Sequence, residues 1–308
     1  MGFFHVCVCH THGTGKRFVP TLTTATTRRF PEQWPVRVTR YLAAFVPTLV
    51  TSGQEWRNGA TGHDGGVRMS RGFGEVEFLQ TLLPEWAVAA AGVLTQLGDS
   101  WFLLVLMGVV FLVAEDHRRD MVAVVGVSLG ATGCYRGLKH LFAAPRPEVS
   151  PLAAEGLNPG VETVLELTAM PASYGFPSGH ATGATVVYLG LASALTVGRR
   201  RERFAAAAAS IALVATTRIV LAVHYLVDVV AGVAIGAAFV GGLFVLPRKL
   251  APASRIQIAY GSALPLAVFY VVTSGGELTS VLLVGVTVAA LAGLWSVSSR
   301  GRQVTELR

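Results

Sequence analysis

Long apolar runs, separated by short polar gaps, occupy most of the sequence after residue 100. Of the 308 residues, 52% are hydrophobic and 14% are charged, which is far from the composition of an average soluble domain. No segment shows the alternation over about ten residues that a strand of a membrane β-barrel requires. The sequence therefore predicts an all-α, polytopic membrane protein. The apolar runs lie at about 101–114, 121–138, 180–197, 204–223, 226–246, 258–273 and 279–296.

Three regions of different composition divide the chain. Residues 1–70 are rich in Arg, Thr, Gly and Pro, and they predict a poorly ordered extension. Residues 71–246 form the predicted membrane core, and residues 247–308 add C-terminal transmembrane helices and a short tail. Because an amphipathic segment follows Met69, a second hypothesis is that translation of the native protein begins there.

Two segments leave alternatives open. The run 86–97 is short for a span of ~20 residues, so it is either a span or an interfacial helix. The segment HVCVCHTH at 5–12 has the composition of a metal site, but no second ligand pair at zinc-finger spacing follows it.

The formal net charge of +7 raises the question of a nucleic-acid partner. The basic residues lie in short gaps between apolar runs, a distribution that orients membrane helices and that predicts no nucleic-acid partner. We expect these gaps to face the cytoplasm, together with the C-terminus, and the intervening connections to lie outside. The basic gaps contain Arg118, Arg119, Arg199, Arg200, Arg201, Arg203, Arg248, Lys249, Arg255, Arg300 and Arg302.

The apolar stretch 204–246 holds three ionisable residues, Arg218, His224 and Asp228. It is about twice the length of one membrane span, so the chain must turn near its middle, where these residues lie. His224 and Asp228 are four residues apart and would share one face of a helix, with Arg218 ending the helix before it. A carboxylate beside an imidazole suits nucleophile or base chemistry, whereas a polar cluster that only holds helices together is the plainer interpretation.

Two further segments favour the functional interpretation. KHLFAAPRP places Lys139 at the outer end of one helix and Arg146 just beyond it, between two prolines. YGFPSGHA places Ser178 at the N-cap of the next helix, followed by Gly179 and His180. Because the N–H groups at a helix N-terminus bind anions, these segments and the turn at 218–228 predict one phosphate pocket on the outer face.

These residues have two other possible uses. Arg218, His224 and Asp228 could form the proton relay of a transporter or channel, but that leaves Lys139 and Arg146 unexplained. Metal binding fits poorly, because Asp228 is the one obvious companion carboxylate and the cations would repel a metal ion.

The three segments together resemble the type 2 phosphatidic acid phosphatase (PAP2) family, in the superfamily of the bacterial acid phosphatases and vanadium haloperoxidases. The family pattern is K-x6-RP, then PSGH, then SR-x5-H-x3-D. It is matched here by Lys139–Pro147, Pro177–His180 and Thr217–Asp228, with Thr217 in place of the usual Ser. The resemblance covers about residues 85–246 and implies a six-helix core, so the later apolar runs are additional helices.

The resemblance also implies a role for each matched residue. His224 would attack phosphorus and form a phosphohistidine, Asp228 would orient His224, and His180 would protonate the leaving alcohol. The phosphoryl oxygens would be bound by Lys139, Arg146, Ser178, Gly179 and Arg218. Family members are metal-independent, so no cofactor is expected.

The resulting expectation is a multi-pass phosphatase of the cell membrane with an extracytoplasmic active site. Its substrate would be a lipid phosphate monoester or diphosphate, with membrane lipids around it. Phosphoryl transfer to an alcohol instead of water, which would make it a lipid phosphotransferase, stays open. The sequence leaves the particular lipid and the oligomeric state undetermined.

Overall fold

A computed structural model describes residues 71–147, 159–160, 173–245 and 252–306. The predicted extension at 1–70, with the start at Met69 and the Cys and His residues of 5–12, lies outside the described residues. The all-α prediction is confirmed for the part that is described, in which every regular element is a helix.

The helices follow the apolar runs of the sequence. The chain forms α1 (Glu75–Leu82), α2 (Glu85–Leu94), α3 (Ser100–Val113), α4 (Arg118–Phe142), α5 (Gly179–Ala194), α6 (Arg200–Val220), α7 (Leu226–Val240), α8 (Pro252–Ser274) and α9 (Leu278–Glu306). Short 3₁₀ turns at Thr95–Gly98 and Glu115–His117 precede α3 and α4, and a π-helical turn at Gly241–Val245 follows α7.

Five helical stretches in the described part are long and apolar enough to cross a membrane. They are Glu115–Phe142, Arg200–Val220, Leu226–Phe244, Ser254–Ser274 and Leu278–Ser296. The stretches Glu85–Gly98 and Ser100–Val113 form a further candidate only as a pair, because the chain bends by 49° between them. The run 86–97 is thus half of a candidate for a broken span or a re-entrant loop. The chain is therefore a multi-pass membrane protein.

Helix α5 lies at the centre of the membrane core and packs against α4, α6 and α7. Its buried residues are mostly small, and small residues let neighbouring helices approach closely in lipid. The closest approach is to α7: a Cβ atom on Gly232 would lie 2.5 Å from the carbonyl oxygen of Ser178. The start of α5 is thus held against the first turns of α7.

The C-terminal helix α8 packs along α4. Four glycines of α4, Gly126, Gly130, Gly133 and Gly137, face it. A Cβ atom on Gly133 would lie 2.6 Å from the backbone carbonyl of Leu266, so glycine at this position lets the two backbones touch.

Helices α4 and α6 end at the side of the core where α5 and α7 begin. Each of the two ends is followed by an alanine with a left-handed backbone, Ala143 with φ 47° and Ala222 with φ 51°. These residues turn the chain out of the helix and towards the segments that carry Arg146 and His224. Non-glycine residues rarely adopt this conformation, which recurs near functional sites.

The predicted turn inside 204–246 is confirmed: α6 ends at Val220 and α7 begins at Leu226. One detail of the prediction is wrong. His224 lies in the connection, ahead of the N-cap Tyr225, and does not share a helical face with Asp228. The two side chains meet because the connection folds back over the first turn of α7.

Candidate active site

His224 forms the centre of the site and is 1% exposed. Its Nε2 atom lies 3.2 Å from Nη1 of Arg146. Burial, and then the charges of Arg146, Arg218 and Lys139, lower the pKa of His224 well below its ordinary value. The imidazole is therefore neutral at pH 7, as a nucleophile requires.

Arg146 is held rigidly by backbone carbonyl groups. Its Nε donates a hydrogen bond to the oxygen of Ser173 at 2.7 Å, and its Nη1 donates to the oxygen of Val223, also at 2.7 Å. Burial lowers the pKa of Arg146 to about 10, which leaves the guanidinium charged at neutral pH. The flanking prolines, Pro145 and Pro147, restrict the backbone on both sides of it.

Asp228, which is fully buried, lies on the other side of the His224 ring. Its Oδ2 accepts the N–H of Tyr225 at 3.0 Å and lies 3.5 Å from Nδ1 of His224. Its Oδ1 accepts a hydrogen bond from Nη1 of Arg71 at 2.7 Å. The carboxylate also sits in the first turn of α7, where the helix dipole stabilises negative charge.

Lys139 and Arg218 are the other two cations, and both are buried. Lys139 donates from Nζ to the carbonyl oxygen of Tyr174. Arg218 donates from Nη1 to Oγ1 of Thr95 at 2.8 Å. The buried guanidinium of Arg218, the buried ammonium of Lys139 and the half-buried guanidinium of Arg146 are costly in one region unless an anion balances them, which is the property of an anion site.

The start of α5 supplies neutral donors. Ser178 is the N-cap residue, as predicted, and its backbone N–H donates to the carbonyl oxygen of Asp228 at 2.9 Å. Gly179 begins the helix and packs under the ring of Tyr135, because a Cβ atom there would lie 2.8 Å from Cε2 of that ring. The first N–H groups of a helix have no acceptor within it and are suited to bind anion oxygens.

His180 lies at the same helix end, next to Asp99. Its Nε2 is 3.9 Å from Oδ2 of Asp99, which is longer than a hydrogen bond. Gly98 allows the 3₁₀ turn before α3 to approach this imidazole and α6, since a Cβ atom there would lie 2.4 Å from a methyl carbon of Val214.

Several buried polar atoms of the site have no hydrogen-bond partner among the described residues. Ser178 and Arg218 could donate to an anionic ligand, and Nε2 of His180 could exchange a proton with one, whereas Nδ1 of His224 faces Asp228. Their shared location, rather than any single atom, indicates a ligand site. They are Oγ of Ser178, Nε2 of His180, Nε of Arg218 and Nδ1 of His224.

The structure therefore brings the predicted site residues together at one end of the helices. They are Lys139, Arg146, Ser178, Gly179, His180, Arg218, His224 and Asp228. Their individual roles stay predictions. No set of three or more His, Cys, Asp and Glu side chains that could share a metal ion occurs in the parts of the chain described above.

Three contact residues were missed by the sequence analysis. The sequence analysis gave no site role to Asp99 or Thr95, and it treated Arg71 only as the first residue of the predicted membrane core at 71–246. Arg71 and Asp228 are separated by 157 residues, and Thr95 and Arg218 by 123 residues, so no local spacing could have indicated either contact.

A family-model match agrees with the resemblance seen in the sequence. A solved structure, the crystal structure of the first transmembrane PAP2 type phosphatidylglycerolphosphate phosphatase from Bacillus subtilis, is similar to this chain with a TM-score of 0.48 and 20% sequence identity. The similar region covers 71% of this chain and 100% of the chain in the solved structure. No curated protein sequence matches the chain. Residues 121–252, which carry all three segments around the site, match the family model of the PAP2 superfamily.

Proposed function

We propose that this protein is a membrane phosphatase that removes a phosphoryl group from a lipid through a phosphohistidine intermediate on His224. The observation that carries the proposal is the direction of Nε2 of His224, which faces Arg146 in a buried region that also contains Lys139 and Arg218. The match of residues 121–252 to the PAP2 superfamily model supports it.

In the first step, a phosphoryl group would lie among the three cations, with Ser178 and Gly179 donating hydrogen bonds to its oxygens. Nε2 of His224 would attack phosphorus, and the bond between phosphorus and the lipid oxygen would break. His180, protonated at Nε2, would give its proton to the leaving oxygen. Cations around the equatorial oxygens stabilise the charge of such a transition state.

In the second step, water would attack the phosphohistidine. His180 would take a proton from that water, the N–P bond would break, and inorganic phosphate would leave with His224 restored. Asp228 would stabilise the ring through Nδ1 in both steps. An alcohol in place of water would make the same intermediate a phosphotransferase.

The site lies at helix ends, so a lipid phosphate could reach it while its acyl or isoprenyl chains stay in the bilayer. We infer that this end faces away from the cytoplasm, since the basic connections Arg118–Arg119 and Arg199–Arg203 lie at the opposite ends of the same helices. Phosphatidic acid, phosphatidylglycerol phosphate and isoprenyl diphosphates are candidate substrates.

The test is phosphate release by the purified protein in detergent, with a panel of these lipid phosphates and excess EDTA. We expect turnover that vanadate inhibits, and a loss of at least ~1,000-fold in His224→Ala. His117→Ala is the matched control, because His117 lies at the opposite end of α4 and contacts Thr196. If no lipid phosphate is turned over and the protein carries protons across liposome membranes, the result would instead favour a transporter or channel with a proton relay.

A further inference from the structure

Arg71 contacts all three segments that form the site, although it lies 50 residues before the family segment at 121–252. Its Nη1 donates to Oδ1 of Asp228 at 2.7 Å, and its Nη2 donates to the carbonyl oxygen of Pro145. The same Nη2 lies against Gly175, where a Cβ atom would be 2.9 Å from it. One guanidinium thus joins the segments that carry Arg146, Ser178 and His224.

The contact between Arg71 and Asp228 is a buried ion pair. The side chain of Arg71 is 7% exposed and that of Asp228 is fully buried. An arginine that hydrogen-bonds a carboxylate in such surroundings holds it more firmly than an exposed pair could, because water does not compete for either group. The guanidinium also lies over the ring of Tyr225, the residue next to His224, at 5.3 Å from its centroid.

The residues after Arg71 keep the guanidinium in place. Gly72 packs so closely against Tyr225 that a Cβ atom would lie 2.7 Å from the ring. Oε1 of Glu75 accepts the backbone N–H of Leu226 at 3.0 Å, and Val76 is fully buried against Ala222 and Tyr225. The segment 71–76 is therefore a built part of the site wall.

These contacts determine how Asp228 is oriented. Arg71 holds Oδ1 and the N–H of Tyr225 holds Oδ2, so the carboxylate cannot rotate without losing a hydrogen bond. In this orientation Oδ2 is the oxygen that lies towards Nδ1 of His224, at 3.5 Å. The position of the His224 ring therefore depends on a residue outside the motif that contains it.

We propose that Arg71 is a positioning residue that fixes Asp228, and through it His224, for attack on phosphorus. The inference rests on the proposed function. Its guanidinium points to Asp228 and to the carbonyl of Pro145, so it acts on the nucleophile and does not bind the phosphoryl group. A direct phosphate-binding role for Arg71 is the rival that the experiment must exclude.

Steady-state kinetics of Arg71→Gln and Arg71→Lys provide the first test. We expect kcat to fall by about 10- to 100-fold in Arg71→Gln, because a misplaced reacting group lowers the rate by about that factor, and KM to stay within a few-fold. Arg71→Lys, which keeps the charge, should recover part of kcat. Inhibition by vanadate should weaken while inhibition by inorganic phosphate stays the same, because only vanadate mimics the state in which His224 is bonded.

The matched control is Arg118→Gln, which removes an exposed arginine paired with Glu115 at the opposite end of α4 and should leave kcat unchanged. Suppose that the wild-type protein is active. A normal kcat in Arg71→Gln, or an equal loss of phosphate and vanadate binding, would then overturn the role of Arg71 and leave the proposed function intact. No turnover by the wild-type protein would instead contradict the proposed function.

A structure of the wild-type protein with bound vanadate tests the same inference without a variant, in case Arg71→Gln does not fold. We expect the guanidinium of Arg71 to remain hydrogen-bonded to Asp228. An Arg71 guanidinium on the vanadate oxygens would overturn the inference, because the residue would then bind the substrate.

Discussion

His224 is neutral because of where it is buried. Three cations surround a ring that is shielded from water, and both effects disfavour an added proton, whereas Asp228 lies 3.5 Å away and is itself paired with Arg71. The cations that would bind the phosphoryl group thus also keep the nucleophile deprotonated. An anion in the site would weaken that effect.

The pH dependence of His224 follows from this environment. An ordinary histidine gains its proton as the pH falls through about 6.5, and a lowered pKa moves that step to lower pH. We therefore expect the NMR signals of the His224 ring in the ligand-free protein to stay unchanged between about pH 8 and pH 6. The ring signals of His224 are those that disappear from the spectrum of the His224→Gln variant. A titration of these signals with a midpoint near pH 6.5 would contradict the burial that we describe.

At this scale, the sequence allowed prediction of the residues with recognisable spacing. Lys139, Arg146 and the residues at 178–180 were found because motif spacing and helix capping are local properties. Arg71 and Asp99 were not, because their contacts depend on how distant segments pack. The position of His224 outside α7 depends likewise on the backbone of Ala222 and Tyr225, which periodicity does not encode.

Among the elements, α4 connects the site to the C-terminal helices. Its site end carries Lys139, while His140 pairs with Glu277, the residue just before α9, with Nε2 to Oε2 at 3.3 Å. The hydroxyl group of Tyr270, in α8, donates a hydrogen bond to Oε2 of Glu277. It also lies within hydrogen-bond distance of the hydroxyl group of Thr279, at 2.7 Å. The helices beyond residue 252 therefore support the helix that carries Lys139.

Substitution of Gly133 tests the packing of α4 on α8. A methyl group there would lie 2.6 Å from the backbone of Leu266, so Gly133→Ala must separate the helices and should lower the temperature of unfolding in detergent. Gly108→Ala in α3 is the control: nothing lies within 4 Å of a Cβ atom there, and alanine favours the helix. Equal effects of the two substitutions would argue against the close contact.

The approximate limits of the helices from α3 onward were predictable because apolar length reports a membrane span, whereas the number of spans was not. Two other features of the elements were not predictable. The 49° bend between α2 and α3 and the contact of α8 with α4 result from packing between helices. The glycine spacing in α4 is visible in the sequence, but it does not identify α8 as the partner.

At the scale of the whole molecule, the site end and the basic end of the bundle should lie on opposite sides of the membrane. Arg199 and its basic neighbours follow α5 at one end, whereas Glu277 and the start of α9 lie near His140 at the other. Positive residues favour the cytoplasmic side, so this separation predicts which face the substrate reaches.

Cysteine labelling in intact cells tests this orientation. In a variant without Cys7, Cys9 and Cys134, single cysteines replace Leu278 at the site end or Val197 at the basic end, which are 71% and 73% exposed. We expect a membrane-impermeant maleimide to label Leu278→Cys and to label Val197→Cys only after the cells are broken. The reverse pattern would place the site in the cytoplasm.

The most direct test is to trap the phosphorylated protein during turnover of a lipid phosphate. Phosphohistidine would be preserved by quenching in base, and peptide mass spectrometry would locate the phosphoryl group. We expect it on His224, with Arg71→Gln forming it more slowly than the wild-type protein. Steady release of phosphate without a phosphorylated His224 peptide, or with the phosphoryl group on another residue, would contradict the proposed nucleophile.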